Sequence, residues 1–190
     1  RVERLNTLQF FPSYFETLSN ATNRVNVSDL ETVALMIQKT HNAGKKVIIV
    51  GNGGSAAIAS HVAVDLTKAA GIRAVNFNEP DLITCLANDY GYERWVEKAL
   101  EFWADIGDLV VIISSSGRSK NMINGAQRAA LSGLDIVTFS GFDANNPLCS
   151  LGMVNFWVDS TEYNIVETAH QTWLLAIVDF LIYLGNSRAE

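Results

Sequence analysis

Five short, mainly apolar runs set the limits on this chain: KVIIV (46–50), IRAVN (72–76), LVVII (109–113), LDIVTF (134–139) and VNFWV (154–158). A strand with one face in water alternates apolar and polar side chains, whereas a near-continuous Val/Ile run is buried on both faces. Between the runs lie segments of helical length, which predict helices over 54–70, 93–104, 119–132 and 162–184. Strands alternating with helices call for a parallel sheet covered on both sides, a three-layer doubly wound α/β fold.

The first 45 residues read as helical. Ser28 followed by Glu31 forms a capping box, and Leu30, Val33, Ala34 and Ile37 follow at helical spacing until Gly44 stops the helix. An earlier helix covers much of 7–24. Its Leu8, Phe10, Phe11, Tyr14, Phe15 and Leu18 are too many apolar residues for one lone surface helix, which predicts contact with another subunit. No Pro- or Gly-rich linker divides the chain. It reads as a single domain over 1–190, with 1–45 a helical segment for oligomer packing and 46–186 the α/β core.

At 190 residues, 48% hydrophobic and 18% charged, the chain is long and apolar enough to bury a core. Its apolar runs fall short of the ~20 residues needed to cross a bilayer, and no signal-peptide pattern is visible, so no membrane partner is expected. Two cysteines without ligand spacing suit a reducing cytoplasm. A net charge of −6 with no basic cluster longer than GKK argues against direct grip on nucleic acid. A phosphate site remains open, since backbone amides can build one.

Two loops carry that possibility. VIIVGNGGSAA and VVIISSSGRSK each read as apolar strand, small polar loop and helix start, and both loops sit at the strand ends where doubly wound folds bind ligands. Gly51, Gly53 and Ala56 satisfy the relaxed dinucleotide pattern, with Glu79 or Asp81 available for a ribose. That reading leaves the serines idle, and about 45 helical residues precede the strand, so no nucleotide cofactor is expected. A P-loop is absent, because no Gly-Lys-Ser/Thr occurs. Ser114, Ser115, Ser116 and Ser119 instead gather hydroxyls and free amides at a helix start, where the dipole favours an anion. Capping alone needs one or two of them.

GNGGS with a downstream ISSSGRS resembles the sugar isomerase (SIS) domain and, within it, the phosphoheptose isomerases, which pair a G-N-G-G-S loop with an S-T-S-G-N-S loop. ANDYGYE at 87–93 is similar to their G-N-D-F-G-F segment. The resemblance spans about 45 to 185. It implies a flavodoxin-like fold and a homotetramer acting in heptose biosynthesis for lipopolysaccharide precursors. It implies that Asn52, Gly53, Ser55, Asp89, Ser114, Ser115, Ser116 and Ser119 meet a phosphorylated sugar. The implied reaction interconverts sedoheptulose 7-phosphate and D-glycero-D-manno-heptose 7-phosphate through an enediol.

His61 and Asp65 are four apart and share a helix face. Alone they read as a surface pair. The family has His and Glu at these positions, the Glu acting as base and both able to hold zinc. Asp65 can serve as that base with its carboxylate about one methylene (~1.5 Å) further back. The family's last helix reads roughly I-Q-E-x-H-x-x-x-x-H. Aligned on His170, Val166 and Glu167 take its first two positions, and its final His falls on Leu175. His170 cannot take over, because five residues turn a helix by about 140°, and it reads as a hydrogen-bonded core histidine. What remains, His61, Asp65 and Glu167, is either a ligand set for a divalent metal such as zinc or the polar floor of a pocket. The catalytic set implied is Asp65, His61 and Glu167. A non-catalytic, sugar-phosphate-binding regulator is the alternative, since replication-initiator-associating proteins share the fold, lack the full catalytic set and carry the SAA found at 55–57.

Overall fold

The computed structural model describes residues 7–187; residues 1–6 and 188–190, together with the side chains of Thr7 and Leu8, lie outside the described residues. Five parallel strands form one sheet: β1 (Val47–Gly51), β2 (Ala74–Val75), β3 (Leu109–Ile113), β4 (Asp135–Gly141) and β5 (Val154–Val158), in the order β2-β1-β3-β4-β5. The flavodoxin-like arrangement is present. The two-residue pleat explains the apolar runs. Val47, Ile49, Leu109, Val111 and Ile113 enter a cluster on one face, while Ile48, Val50, Val110 and Ile112 enter the other. Each fully buried Val, Leu or Ile contributes about 1.5–3 kcal/mol.

The first face is covered by α2 (Val27–Asn42), α3 (Gly53–Lys68) and α7 (Tyr163–Ser187), with α1 (Thr7–Asn23) packed on α7. The second is covered by α4 (Pro80–Tyr90), α5 (Trp95–Trp103) and α6 (Lys120–Leu131). At the amino ends of β1 and β3, the fully buried Asp108 carboxylate fixes the register. It accepts from the Lys46 backbone N–H at 3.0 Å and pairs with Lys46 Nζ at 2.6 Å.

At the carboxyl ends, Gly51 of β1 lies beside Ile113 of β3. The strand order reverses between these two strands, so the loops that follow them stand side by side over a crevice.

Several expectations are corrected in detail. Asn26, not Ser28, caps α2: its Oδ1 accepts from the Ser28 N–H at 3.1 Å. The strand expected over 72–76 pairs at only two residues, and α5 begins two residues later than expected, after a 3-10 turn over Tyr92–Arg94. Helix α4 was not expected at all. Helix α7 is 25 residues long and apolar enough to cross a membrane by length and composition, with Glu167, His170 and Gln171 interrupting its run. Half of its apolar window is buried against the sheet and its neighbours, which is the environment that its composition serves here.

Candidate active site

The two helices that start from the crevice leave their caps open. Asn52 precedes α3 and Ser119 precedes α6, yet neither side chain bonds its own helix. First-turn amides lack partners in a preceding turn, and apart from the Met122 N–H, which donates to the Ser119 carbonyl at 3.0 Å, those of α3 and α6 bring two positive dipole ends to one place. Between them lies a compartment of about 270 Å³ lined by Asn52, Gly53, Gly54 and Ser55 from one loop and Ser114, Ser115, Ser116 and Ser119 from the other. Gly53 turns the chain with φ +53°, and Gly117 with φ +63°. Ser55, Ser114 and Ser115 are buried, and the Ser114 hydroxyl donates to Ser119 Oγ at 3.4 Å.

Among the described residues, no cation lines this compartment. The two nearest in sequence are held elsewhere, Arg118 by Asp143 at 2.7 Å and Lys120 by Glu93 at 2.9 Å. The compartment therefore offers an anion neutral hydroxyls, amides and helix ends. Ser116→Ala combined with Ser119→Ala is expected to weaken inorganic phosphate binding about tenfold, at ~0.5–1.5 kcal/mol for each lost hydrogen bond. Titration calorimetry measures this, and unchanged affinity rules the compartment out.

A second compartment of about 520 Å³ adjoins the first. Gly54 and Glu167 line both, and His61, Gln171 and Tyr14 line the second alone. Glu167 stands at the junction. Its carboxylate accepts from the Ser115 hydroxyl at 3.2 Å and lies so close to Gly54 that a Cβ there would be 2.2 Å from Oε2. His61 is held at both ring nitrogens, by Asp65 Oδ2 at 3.3 Å from Nε2 and by Gln171 Nε2 at 3.0 Å from Nδ1.

The SIS domain family model matches residues 9–141. The chain belongs to the SIS-domain family. A probable phosphoheptose isomerase of Thermoplasma acidophilum is 34% identical to this SIS domain over 166 residues, covering 84% of this chain and 90% of its own. The phosphoheptose isomerase of Fusobacterium nucleatum is 33% identical over 156 residues, 80% of each chain. Among solved structures, the phosphoheptose isomerase of Neisseria gonorrhoeae shares the fold at a TM-score of 0.82 and 24% identity, over 90% of this chain and 95% of that one.

Within this SIS domain, the serines and glycines of both loops come together as expected, with Glu167 beside them. Two other sequence candidates do not join them. Asp89 is exposed near the end of α4, where its Oδ1 accepts from Asn88 Nδ2 at 3.0 Å, and it lines neither compartment. Asp65 stands behind His61 and lines neither compartment. Among the described residues, no three His, Cys, Asp or Glu side chains gather closely enough to share a metal ion. His61, Asp65 and Glu167 therefore do not fit one zinc ion within a single chain.

His170 is the core histidine that the sequence predicts. It is fully buried beside Ser140, whose carbonyl oxygen lies 2.9 Å from Nε2. Burial pushes its pKa down to about 4, against the opposing pull of that bond, so it stays neutral near pH 7. Leu175 sits one turn beyond Gln171 on α7 and packs against the first apolar cluster. Sequence reasoning missed Tyr14, Asn121 and Gln171. Asn121 exchanges two amide bonds with Asn52 at 2.8 and 3.0 Å. Its position in the first turn of α6, two residues past Ser119, was the available signal.

Proposed function

We propose that this chain is an aldose–ketose isomerase for a phosphorylated sugar, interconverting sedoheptulose 7-phosphate and D-glycero-D-manno-heptose 7-phosphate through an enediol. The observation that carries this reading is the junction of the two compartments. A ligand anchored by an anionic group among the serines runs past Gly54 into the second compartment, with the Glu167 carboxylate at its side. Two curated relatives named as phosphoheptose isomerases support the substrate class.

Isomerisation takes a proton from one carbon, returns it to the neighbouring carbon, and shifts a second proton between their oxygens. Glu167 moves the carbon-bound proton. His61 serves the oxygens through Nδ1, where the sugar takes the place of the Gln171 amide, while Asp65 holds the ring from Nε2. Asp65 is thereby a positioning residue and not the base. The serines, Asn52 and the two helix starts hold the phosphate. No step runs through a metal, because the candidate ligands do not gather. We place this enzyme in the cytoplasm, where its free Cys85 and Cys149 stay reduced. The exposed aromatics of α1, Phe10, Phe11 and Phe15, provide contacts between copies in a homo-oligomer; light scattering that finds a monomer overturns that assembly.

The decisive experiment follows sedoheptulose 7-phosphate by NMR in heavy water. Deuterium is expected at the sugar's first two carbons as the aldose forms, with no change when a chelator is added. Leu175, apolar where the family carries histidine, favours a second reading in which the cleft only binds. Saturable binding of the sugar phosphate without deuterium exchange establishes that reading and overturns the isomerase.

A further inference from the structure

The 3-10 turn Tyr92–Arg94 lies between α4 and α5 and is entered through Gly91 at φ +88°. The mechanism above gives it no task, yet it is bonded to both walls of the anion compartment. Towards α3, the Tyr92 hydroxyl donates to Asn52 Oδ1 at 3.1 Å. Towards α6, the Glu93 carbonyl accepts from Asn124 Nδ2 at 2.8 Å, and the Glu93 carboxylate pairs with Lys120 Nζ at 2.9 Å.

Asn52 is the member of this set that lines the compartment. A side-chain amide has two N–H donors and an oxygen with two lone pairs. The oxygen of Asn52 accepts from both Asn121 Nδ2 and Tyr92, and one N–H goes to Asn121 Oδ1. The acceptor side is therefore filled, and the capacity left over is a single N–H donor. That is the sign an anionic oxygen needs. An acceptor turned into a compartment built of donors would instead repel it.

We propose that Tyr92 is a positioning residue for anion binding. Its hydroxyl fills the acceptor oxygen of Asn52, so that Asn52 meets the ligand as a donor. The turn also clasps the N-terminal turns of α3 and α6 at a fixed separation. This proposal rests on the reading of the cleft as a sugar-phosphate site.

The test is a double-mutant cycle on the full chain, with inorganic phosphate and sedoheptulose 7-phosphate as probes in titration calorimetry and steady-state turnover. Tyr92→Phe removes one neutral hydrogen bond and is expected to raise Kd for both probes, and KM, about three- to tenfold, with kcat unchanged. In an Asn52→Ala background the same substitution is expected to change nothing further, because its route is gone. An unchanged Kd in Tyr92→Phe overturns the proposal. So does an equal loss in both backgrounds, which is the result a merely structural tyrosine gives. Failure of the unsubstituted protein to bind either probe overturns the sugar-phosphate reading itself, and that outcome is visible before any variant is made.

Discussion

Glu167→Gln is expected to lower proton exchange between the sugar's first two carbons by about 10²–10⁴-fold, the range for losing a positioned acid or base. The substitution keeps the size of the side chain, an acceptor for the Ser115 hydroxyl and the fit against Gly54. What it removes is the ability to take up a proton. Sugar-phosphate affinity is therefore expected to stay within about threefold, since the compartment offers an anion hydroxyls and amides as its donors and this carboxylate is not one of them. NMR exchange rates with a parallel calorimetric titration separate the two effects. A variant that exchanges within threefold of the unsubstituted rate removes Glu167 from the chemistry.

Gly117→Ala is expected to cost about 3 kcal/mol of stability, from two sources. Gly117 has φ +63°, where a β-carbon costs about 1–2 kcal/mol. That carbon would also lie 1.8 Å from Asn146 Oδ1. Asn146 is buried and cannot yield cheaply. Its amide donates to Ser140 Oγ at 3.1 Å and to the Asp143 carbonyl at 2.8 Å, and its oxygen accepts from the Cys149 N–H at 3.0 Å. Each such bond contributes about 0.5–1.5 kcal/mol net, and more when a buried group loses its partner. For a chain of this size the melting temperature is expected to fall by about 10 °C. Phosphate affinity falls with it, because the serine loop turns at this residue. Thermal unfolding within about 2 °C of the parent shows that Asn146 moves aside freely.

What could be read from the sequence was whatever depends on the local chain. β1, β3 and β4, buried along nearly their whole length, declare themselves by composition, whereas the edge strands β2 and β5 are partly exposed and show only as short mixed runs. The GNGGS and SSSG loops were visible because a glycine turn running into a helix start is a property of consecutive residues. Helix α4 is hidden in the sequence because its segment also fits a ribose-binding acid at Glu79 or Asp81 and a motif over 87–93. The signal for it was Pro80, which sits at the helix's first position, where proline is favoured. The Asn26 cap is masked by Ser28 with Glu31, which form a capping-box pattern two residues on. Side-chain partnerships across elements were not legible at all. That Gln171 faces His61, that Asp65 lies behind it and that Asp89 turns to solvent all depend on how α7 packs on α3 and where α4 ends.

The two compartments draw their walls from Tyr14 and from residues within 52–61, 114–119 and 163–171, four segments spread over most of the chain. No single hairpin or helix pair carries enough of the cleft to bind by itself, so recognition exists only after the strand order across β1, β3 and β4 is complete. Occupancy and global unfolding are thereby coupled through mass action: a ligand at 100 times its Kd raises the free energy of unfolding by about 2.7 kcal/mol for the cooperative unit as a whole. A plain melting curve, recorded against a panel of phosphorylated sugars, becomes a ranking of their affinities before any turnover is detected.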